Sequence, residues 1–359
     1  MTENVTTASR TATPTATTKD ALVGLADDPE IRITAHMYER VFGVPPATLR
    51  RAPGGLTLLG GPPPPPPPSA DAPPTTAAHT PPSAPALAVA LAWGAIVAAG
   101  PNPDGGVDLY SMNRHTERCT SLDDVPEWAV HVVEALRAHA DPPPPARMVV
   151  DRELPAETGL LSGTEVVCAA AMALGDLHGP PAASVPSAVA PEYLAALHSR
   201  AGHALLITEA GPEQIPFDLA AAGLRLLIID VGVAEEAPAA TTPARGTPAG
   251  GTLAGGTVKA SDLGQDIVES AAEALRAGYP AGLGPLLTEA HMPGRPTLDL
   301  ALTAARDAGA LGGRSLGRCA VALVPLAVVP RVRAEVVARL EGHVARPPRF
   351  LTAVASGRP

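Results

Sequence analysis

The sequence predicts an α+β fold of two domains. Apolar runs of strand length and amphipathic helical stretches occur in mixed order, not as the strict strand–helix repeat of a doubly wound parallel sheet. Two of the strand-like runs flank a tight Pro/Asp/Gly turn. The chain has 359 residues and 46% hydrophobic content, enough for two sizeable cores, and with only 3% aromatics those cores must be built from Ala, Leu and Val.

Residues 1–26 are rich in Thr and Ala, lack the apolar stretch of a signal peptide and read as a disordered tail. Asp27 to Phe42 reads as a helix, with acidic residues early and Ile31, Ala35, Tyr38 and Val41 at helical spacing. Leu56 to Leu59 is a short strand. Pro62 to Pro68 are seven consecutive prolines, about 22 Å of polyproline II, and they open a Pro/Thr/Ala linker that runs to Pro85 (62–85). Proline has no backbone N–H to give to a sheet, so this linker is expected to be extended and exposed. Leu87 to Ala99 and Val107 to Met112 flank Asn102-Pro103-Asp104-Gly105-Gly106 and are expected to pair as a β-hairpin.

Trp128 to His139 reads as a helix that Pro142 to Pro145 break. Met148 to Asp151 is a strand, leading through a loop into a long helix from about Gly163 to Leu177. Val166, Ala169, Ala170, Ala173 and Leu177 line one face of that helix. His203 to Thr208, Leu224 to Val231 and Cys319 to Pro325 are further strands. Asp262 to Ala277, Pro296 to Ala308 and Val329 to Leu340 are helices, and the Gly/Thr-rich stretch 235–258 is a flexible loop. The expected domains are 27–200 and 201–356.

The formal net charge of −10 repels phosphate backbones at long range and argues against a nucleic-acid partner. No apolar run reaches the roughly 18 residues of a membrane helix, so no membrane partner is expected. Cys119, Cys168 and Cys319 are odd in number and widely spaced, which fits buried reduced thiols and a cytoplasmic location.

The run Ala52-Pro53-Gly54-Gly55-Leu56-Thr57-Leu58-Leu59-Gly60-Gly61 resembles the sugar-binding signature of galactokinases, RAPGRVNLIGEHTDY. Segments at Ala92 to Asn113, Trp128 to Leu177, Gly202 to Leu206, Ile215 to Leu219, Gly284 to His291, Thr297 to Asp299, Gly309 to Gly312 and Cys319 to Pro325 resemble others of that family in the same order. From about residue 36 to 355 the chain is therefore similar to galactokinase, a member of the GHMP small-molecule kinases. The resemblance implies a two-domain GHMP kinase fold with the active-site cleft between the N- and C-terminal domains. It also implies ATP- and Mg²⁺-dependent phosphorylation of galactose to galactose 1-phosphate.

The residues that would carry this chemistry depart from the family. The phosphate loop resembles Pro155-Ala156-Glu157-Thr158-Gly159-Leu160-Leu161-Ser162-Gly163-Thr164. There the resemblance places nucleotide contacts at Gly159, Leu160, Ser162, Gly163 and Thr164, with Ser162 as the hydroxyl nearest a metal. In such a loop, backbone N–H groups and the helix dipole hold phosphates. Glu157 stands where the family has glycine and brings a repelling charge. Val167 stands at the magnesium-binding Glu, with Glu165 expected on the far face of the helix. An ordinary helix start with weak anion affinity is the other reading of this loop.

In the sugar motif Gly55 replaces an arginine, and Gly61, Pro62 and Pro64 replace the Glu, His and Asp. The catalytic Asp aligns with Glu192, readable as a base toward a substrate hydroxyl or as a solvated residue at a helix start. The sugar-binding Tyr falls near Ser261, and the glycine-rich turn has shrunk to Leu316-Gly317-Arg318. Loss of a single oxyanion-type donor costs about 3 kcal/mol of transition-state stabilisation, and several are lost here. The expectation is a galactokinase relative that is catalytically impaired or a pseudokinase, its ligand a small sugar or a nucleotide. The alternative is a GHMP-type kinase retuned to another small sugar or metabolite, with Glu157, Glu165, Glu192 and Arg318 as its new polar groups. A protein partner docking on the proline segment is the lesser alternative.

Overall fold

The computed structural model describes residues 28–61, 84–154, 158–232 and 260–357. The expectations for the tail 1–26, for most of the proline linker and for the loop 235–258 fall outside the described residues.

Asp28 opens the first helix, α1 (Pro29–Phe42), by accepting the Glu30 N–H at 2.9 Å, and Gly43 closes it in the left-handed region at φ 74°. Ile31 and Tyr38 are buried as their spacing predicts, while Thr34 joins them by donating its hydroxyl to the Glu30 carbonyl. The first sheet has seven strands: β1 (Thr48–Gly60), β2 (Ala86–Pro101), β3 (Val107–Ser111), β4 (Arg118–Cys119), β5 (Ala146–Arg152), β6 (His203–Thr208) and β7 (Gly211–Pro216). Its order is β4-β3-β5-β2-β6-β7, with β1 along the other edge of β2. The helices α2 (Val130–His139), α3 (Thr164–His178) and α4 (Pro191–His198) bury a core against it.

The second sheet runs β11-β8-β10-β9 through β8 (Leu224–Asp230), β9 (Gly312–Leu316), β10 (Cys319–Pro325) and β11 (Arg349–Ala353). Its helices are α5 (Ala260–Arg276), α6 (Leu283–Glu289), α7 (Pro296–Asp307) and α8 (Val329–Leu340). A shared core lies between the sheets and joins Leu56, Leu58 and Leu87 to Leu226, Ile228, Val321 and Leu323, with Val268 and Leu275 of α5. A third core packs α7 and α8 on the outer face of the second sheet.

Three expectations are corrected. The runs at 87–99 and 107–112 do not form a hairpin, because β5 lies between them, antiparallel to β2 and parallel to β3. Met148, Val149 and Val150 are almost wholly buried, so this strand needs partners on both edges. The 102–106 turn only has to bridge the resulting gap of about 10 Å, two strand spacings. The division at 200/201 does not follow the sheets: β6 pairs with β2 and β7 with β6, so the crossing to the second sheet falls between Pro216 and Leu224. The short strand at 56–59 is the end of a 13-residue β1.

β1 carries register shifts at Pro53/Gly54 and Thr57/Leu59. Proline cannot donate to a ladder, and a Pro-Gly-Gly run inside a strand marks a bulge that re-aims the chain. Opposite it β2 changes face: Leu87, Val89 and Leu91 point into the shared core, but Ala95, Val97 and Ala99 into the helix-covered one. The strand β5, the loop after it and α3 follow in the expected sequence. No described helix is long and apolar enough to cross a membrane, and all three cysteines are buried thiols outside any disulfide.

Candidate functional site

The bulge of β1 forms one wall of the cleft, and α4 begins directly on it. A Cβ on Gly55 would lie 1.9 Å from the Glu192 carbonyl oxygen, so only a glycine fits beneath this first turn of α4. A Cβ on Gly54 would meet the Leu161 side chain at 2.6 Å. The position that the resemblance matches to a sugar-binding arginine is thus filled by backbone from another element. Glu192 is half-buried, and its Oε1 accepts the Thr57 hydroxyl at 2.5 Å. This ties it to the bulged strand from its place in the first turn of α4. Gly61 follows Gly60 where β1 ends, with Thr57 and Pro191 nearest. Pro62, Pro64, Glu157 and Ser261 have no described side-chain placement.

The loop 158–163 packs against this bulge through Leu161. Leu160 and Leu161 are buried in the shared core, and the Ser162 and Thr164 hydroxyls are bonded to each other at 3.1 Å. Gly159 and Gly163 take positive φ (55° and 93°), and each lies under a side chain. A Cβ on Gly163 would stand 2.0 Å from His131 Nε2, and one on Gly159 would stand 2.9 Å from Arg318 Nε. Burial holds the His131 imidazole below its ordinary pKa, with Glu165 pulling the other way and Arg152 adding to the depression. It sits beside the loop as a largely neutral ring.

Glu165 lies across the helix from Val167, but that face is not solvated. It is fully buried: Oε1 accepts Arg152 Nε at 3.0 Å and an Arg152 terminal nitrogen at 2.6 Å, and Oε2 accepts the Gly163 N–H at 3.1 Å. The first half of α3 is buried on every side, so no solvated face exists there for a charge to choose. The only sequence signal for this pair was an acid in a helix first turn, and nothing in the spacing named Arg152 as its partner. His131 carried no motif and was missed for the same reason.

The second sheet meets the loop through the β9–β10 turn. A Cβ on Gly317 would lie 1.7 Å from the Gly159 carbonyl, and the Cys319 thiol donates to the Thr158 carbonyl at 3.3 Å. The two domains therefore touch at the loop, as the resemblance implies. Burial, with the nearby Asp230 as a smaller cause, pushes the Cys319 thiol up to about 12, which excludes it as a nucleophile near neutral pH. Arg295 donates to the Gly317 carbonyl and fixes the turn.

A magnesium site does not fit these residues. Val167 is wholly buried in the helix-covered core, both Glu165 oxygens are engaged, and no described cluster of three or more His, Cys, Asp or Glu could hold a metal. What remains at the loop is a set of small-residue turns, one hydroxyl pair and arginine.

The solved structures this chain is similar to agree with this architecture. A Lactococcus lactis galactokinase complexed with galactose superposes with a TM-score of 0.68 at 17% identity, over 92% of this chain and 99% of that one. The fold is that of the GHMP small-molecule kinases. A mevalonate kinase matches at TM-score 0.54 and 11% identity, over 87% of this chain and all (100%) of the other. A homoserine kinase from Cytophaga hutchinsonii matches at 0.51 and 13%, over 86% and 96%. No protein-family model matches the sequence, and no curated protein matches it closely. Identities this low carry the fold alone, and with three different acceptors among the three neighbours the fold leaves the substrate open.

Proposed function

We propose that this chain is a pseudokinase: a GHMP-fold protein related to galactokinases that keeps a ligand-binding cleft and has given up phosphoryl transfer. The observation that carries this reading is the contact between Gly55 and α4, which leaves no room for an acceptor-binding side chain where the family has its arginine. Phosphoryl transfer depends almost wholly on positioning and charge neutralisation, and the described cleft lacks the acceptor arginine and the metal carboxylate together.

The test is direct. The purified full chain, given galactose and MgATP, is expected to form no galactose 1-phosphate above the enzyme-free rate. Gly55→Arg should lower stability without restoring turnover, because the restored side chain meets the Glu192 backbone and residues acting as a unit do not rescue singly. One observation favours a second reading, a kinase retuned to another small sugar or metabolite: the bond between Glu192 and the Thr57 hydroxyl puts a carboxylate on the cleft wall. Turnover of any sugar in a panel, abolished by Glu192→Gln, would establish that reading and remove ours.

A further inference from the structure

The edge strand β9 and the connection between α6 and α7 bring together three side chains that phosphoryl transfer does not use. A Cβ on Gly312 would lie 1.9 Å from the Gly284 carbonyl oxygen, so α6 lies directly on β9. The Thr288 hydroxyl fixes that contact, accepting the Gly313 N–H at 3.2 Å and donating to the Gly284 carbonyl at 3.3 Å. His291 follows just after α6, and its ring reaches Ser315 on β9. Side chains alternate along a strand, so Ser315 shares a face with Gly313, where a Cβ would stand 3.0 Å from Leu302 of α7. Asp299 precedes Leu302 by one helical turn, in the first turn of α7.

The hydrogen bonds assign each group a role. His291 Nε2 lies 3.0 Å from Asp299 Oδ1, and Asp299 Oδ2 accepts the Gly294 N–H at 2.9 Å, which holds the carboxylate in place. On the other side of the ring, Nδ1 accepts the Ser315 N–H at 3.3 Å, with the Ser315 hydroxyl oxygen 3.5 Å away. A backbone N–H can only donate, so Nδ1 carries the lone pair and the ring proton sits on Nε2, aimed at the carboxylate. A hydroxyl, a base and an orienting acid thus stand in sequence. The hydroxyl contact is long, as such contacts often are before substrate binds. The His291 side chain is 15% exposed and its neighbour Met292 is 70% exposed, so solvent reaches the ring.

We propose that Ser315, His291 and Asp299 form an acyl-transfer centre that hydrolyses small carboxylic esters. Ser315 Oγ attacks the ester carbonyl carbon while His291 Nδ1 takes the hydroxyl proton. The bond to the alcohol oxygen breaks, the proton passes to the departing alkoxide, and an acyl ester of Ser315 remains. Water, giving its proton to the same nitrogen, attacks that ester and releases the carboxylic acid, and the proton returns to Ser315. Ester and water are consumed, and acid and alcohol are formed. Ser315 and His291 are catalytic residues, and Asp299 is a positioning residue that holds the tautomer. This chemistry does not depend on whether the cleft transfers phosphate.

The full chain is tested with a fluorophosphonate probe and with p-nitrophenyl acetate and butyrate. Peptide mass spectrometry should place the probe on Ser315, and both esters should be hydrolysed. Ser315→Ala and His291→Gln should each lower kcat about a hundredfold or more, the range that general-base catalysis supplies. Asp299→Asn can present an N–H to Nε2 and reverse the tautomer, so kcat should fall while KM stays within about twofold. A purely structural tie would move the melting temperature and leave that split unseen, and a melting curve for each variant separates the two. Labelling of Ser315 requires no variant, so the outcome does not hang on whether one folds. Labelling elsewhere, no labelling, or hydrolysis that Ser315→Ala leaves unchanged would overturn the proposal. Galactose phosphorylation is assayed separately, so loss of the pseudokinase reading and loss of this centre give different results.

Discussion

Asp151 shows how one residue's environment becomes a measurable pH dependence. On β5 beside the cleft strand, its carboxyl is pushed up to about 6, first by burial and then by the Glu30 and Glu153 charges. The Arg51 guanidinium, two strands away in register, is taken by Glu153 and Asp28. The folded state therefore holds the Asp151 proton more tightly than the unfolded chain, whose carboxyl titrates near about 3.9. Its contribution is neutral below about pH 4, turns unfavourable as pH rises through 6, and stays so above. Asp151→Asn is expected to melt higher than the parent at pH 7 to 8, with the difference gone near pH 4. A pH series of thermal melts on both proteins measures this, and equal melting temperatures at pH 7.5 would refute the assignment.

At the scale of an element, α3 is specified by burial more than by caps. Its N-cap is Gly163 with no side-chain cap, and the work of a cap falls to Glu165, reaching back to the Gly163 N–H while pairing with Arg152. Removing one partner of a buried pair strands the other, at a cost of about 3–5 kcal/mol. Glu165→Gln keeps the shape and the backbone bond but leaves the Arg152 charge uncompensated. It should lower the urea midpoint by a correspondingly large step, whereas Arg152→Met with Glu165→Leu together should recover much of the loss. If the single variant were neutral, Glu165 would be serving no anchoring role and would be available for ligand.

At the scale of the molecule, the largest core is shared. Leu56, Leu58 and Leu87 of the first sheet pack in one cluster with Leu226, Ile228 and Leu323 of the second. Neither sheet can lose the other without exposing that cluster, so the two domains should unfold together. Tryptophan fluorescence, reporting from Trp93 and Trp128 in the first domain, and far-UV circular dichroism should give superimposable urea transitions. Two separated transitions would show that the shared core does not couple them.

The sequence by itself determined the α+β class, the order of most helices and strands, and the limits of β6, β10 and α8, because period, proline and glycine act locally. It also showed where the resemblance departs, since Gly55 and Val167 can be read without a fold. Tertiary structure alone decided where β5 inserts, because pairing partners of apolar strands are set by burial on both edges and not by the turn between neighbours. It alone decided that Gly55 lies under Glu192, that Glu165 turns inward to Arg152, and that Arg318 crosses to Gly159. These contacts join residues 13 to 159 positions apart, and side chains brought together at such separations leave no period in the chain for a reader to find.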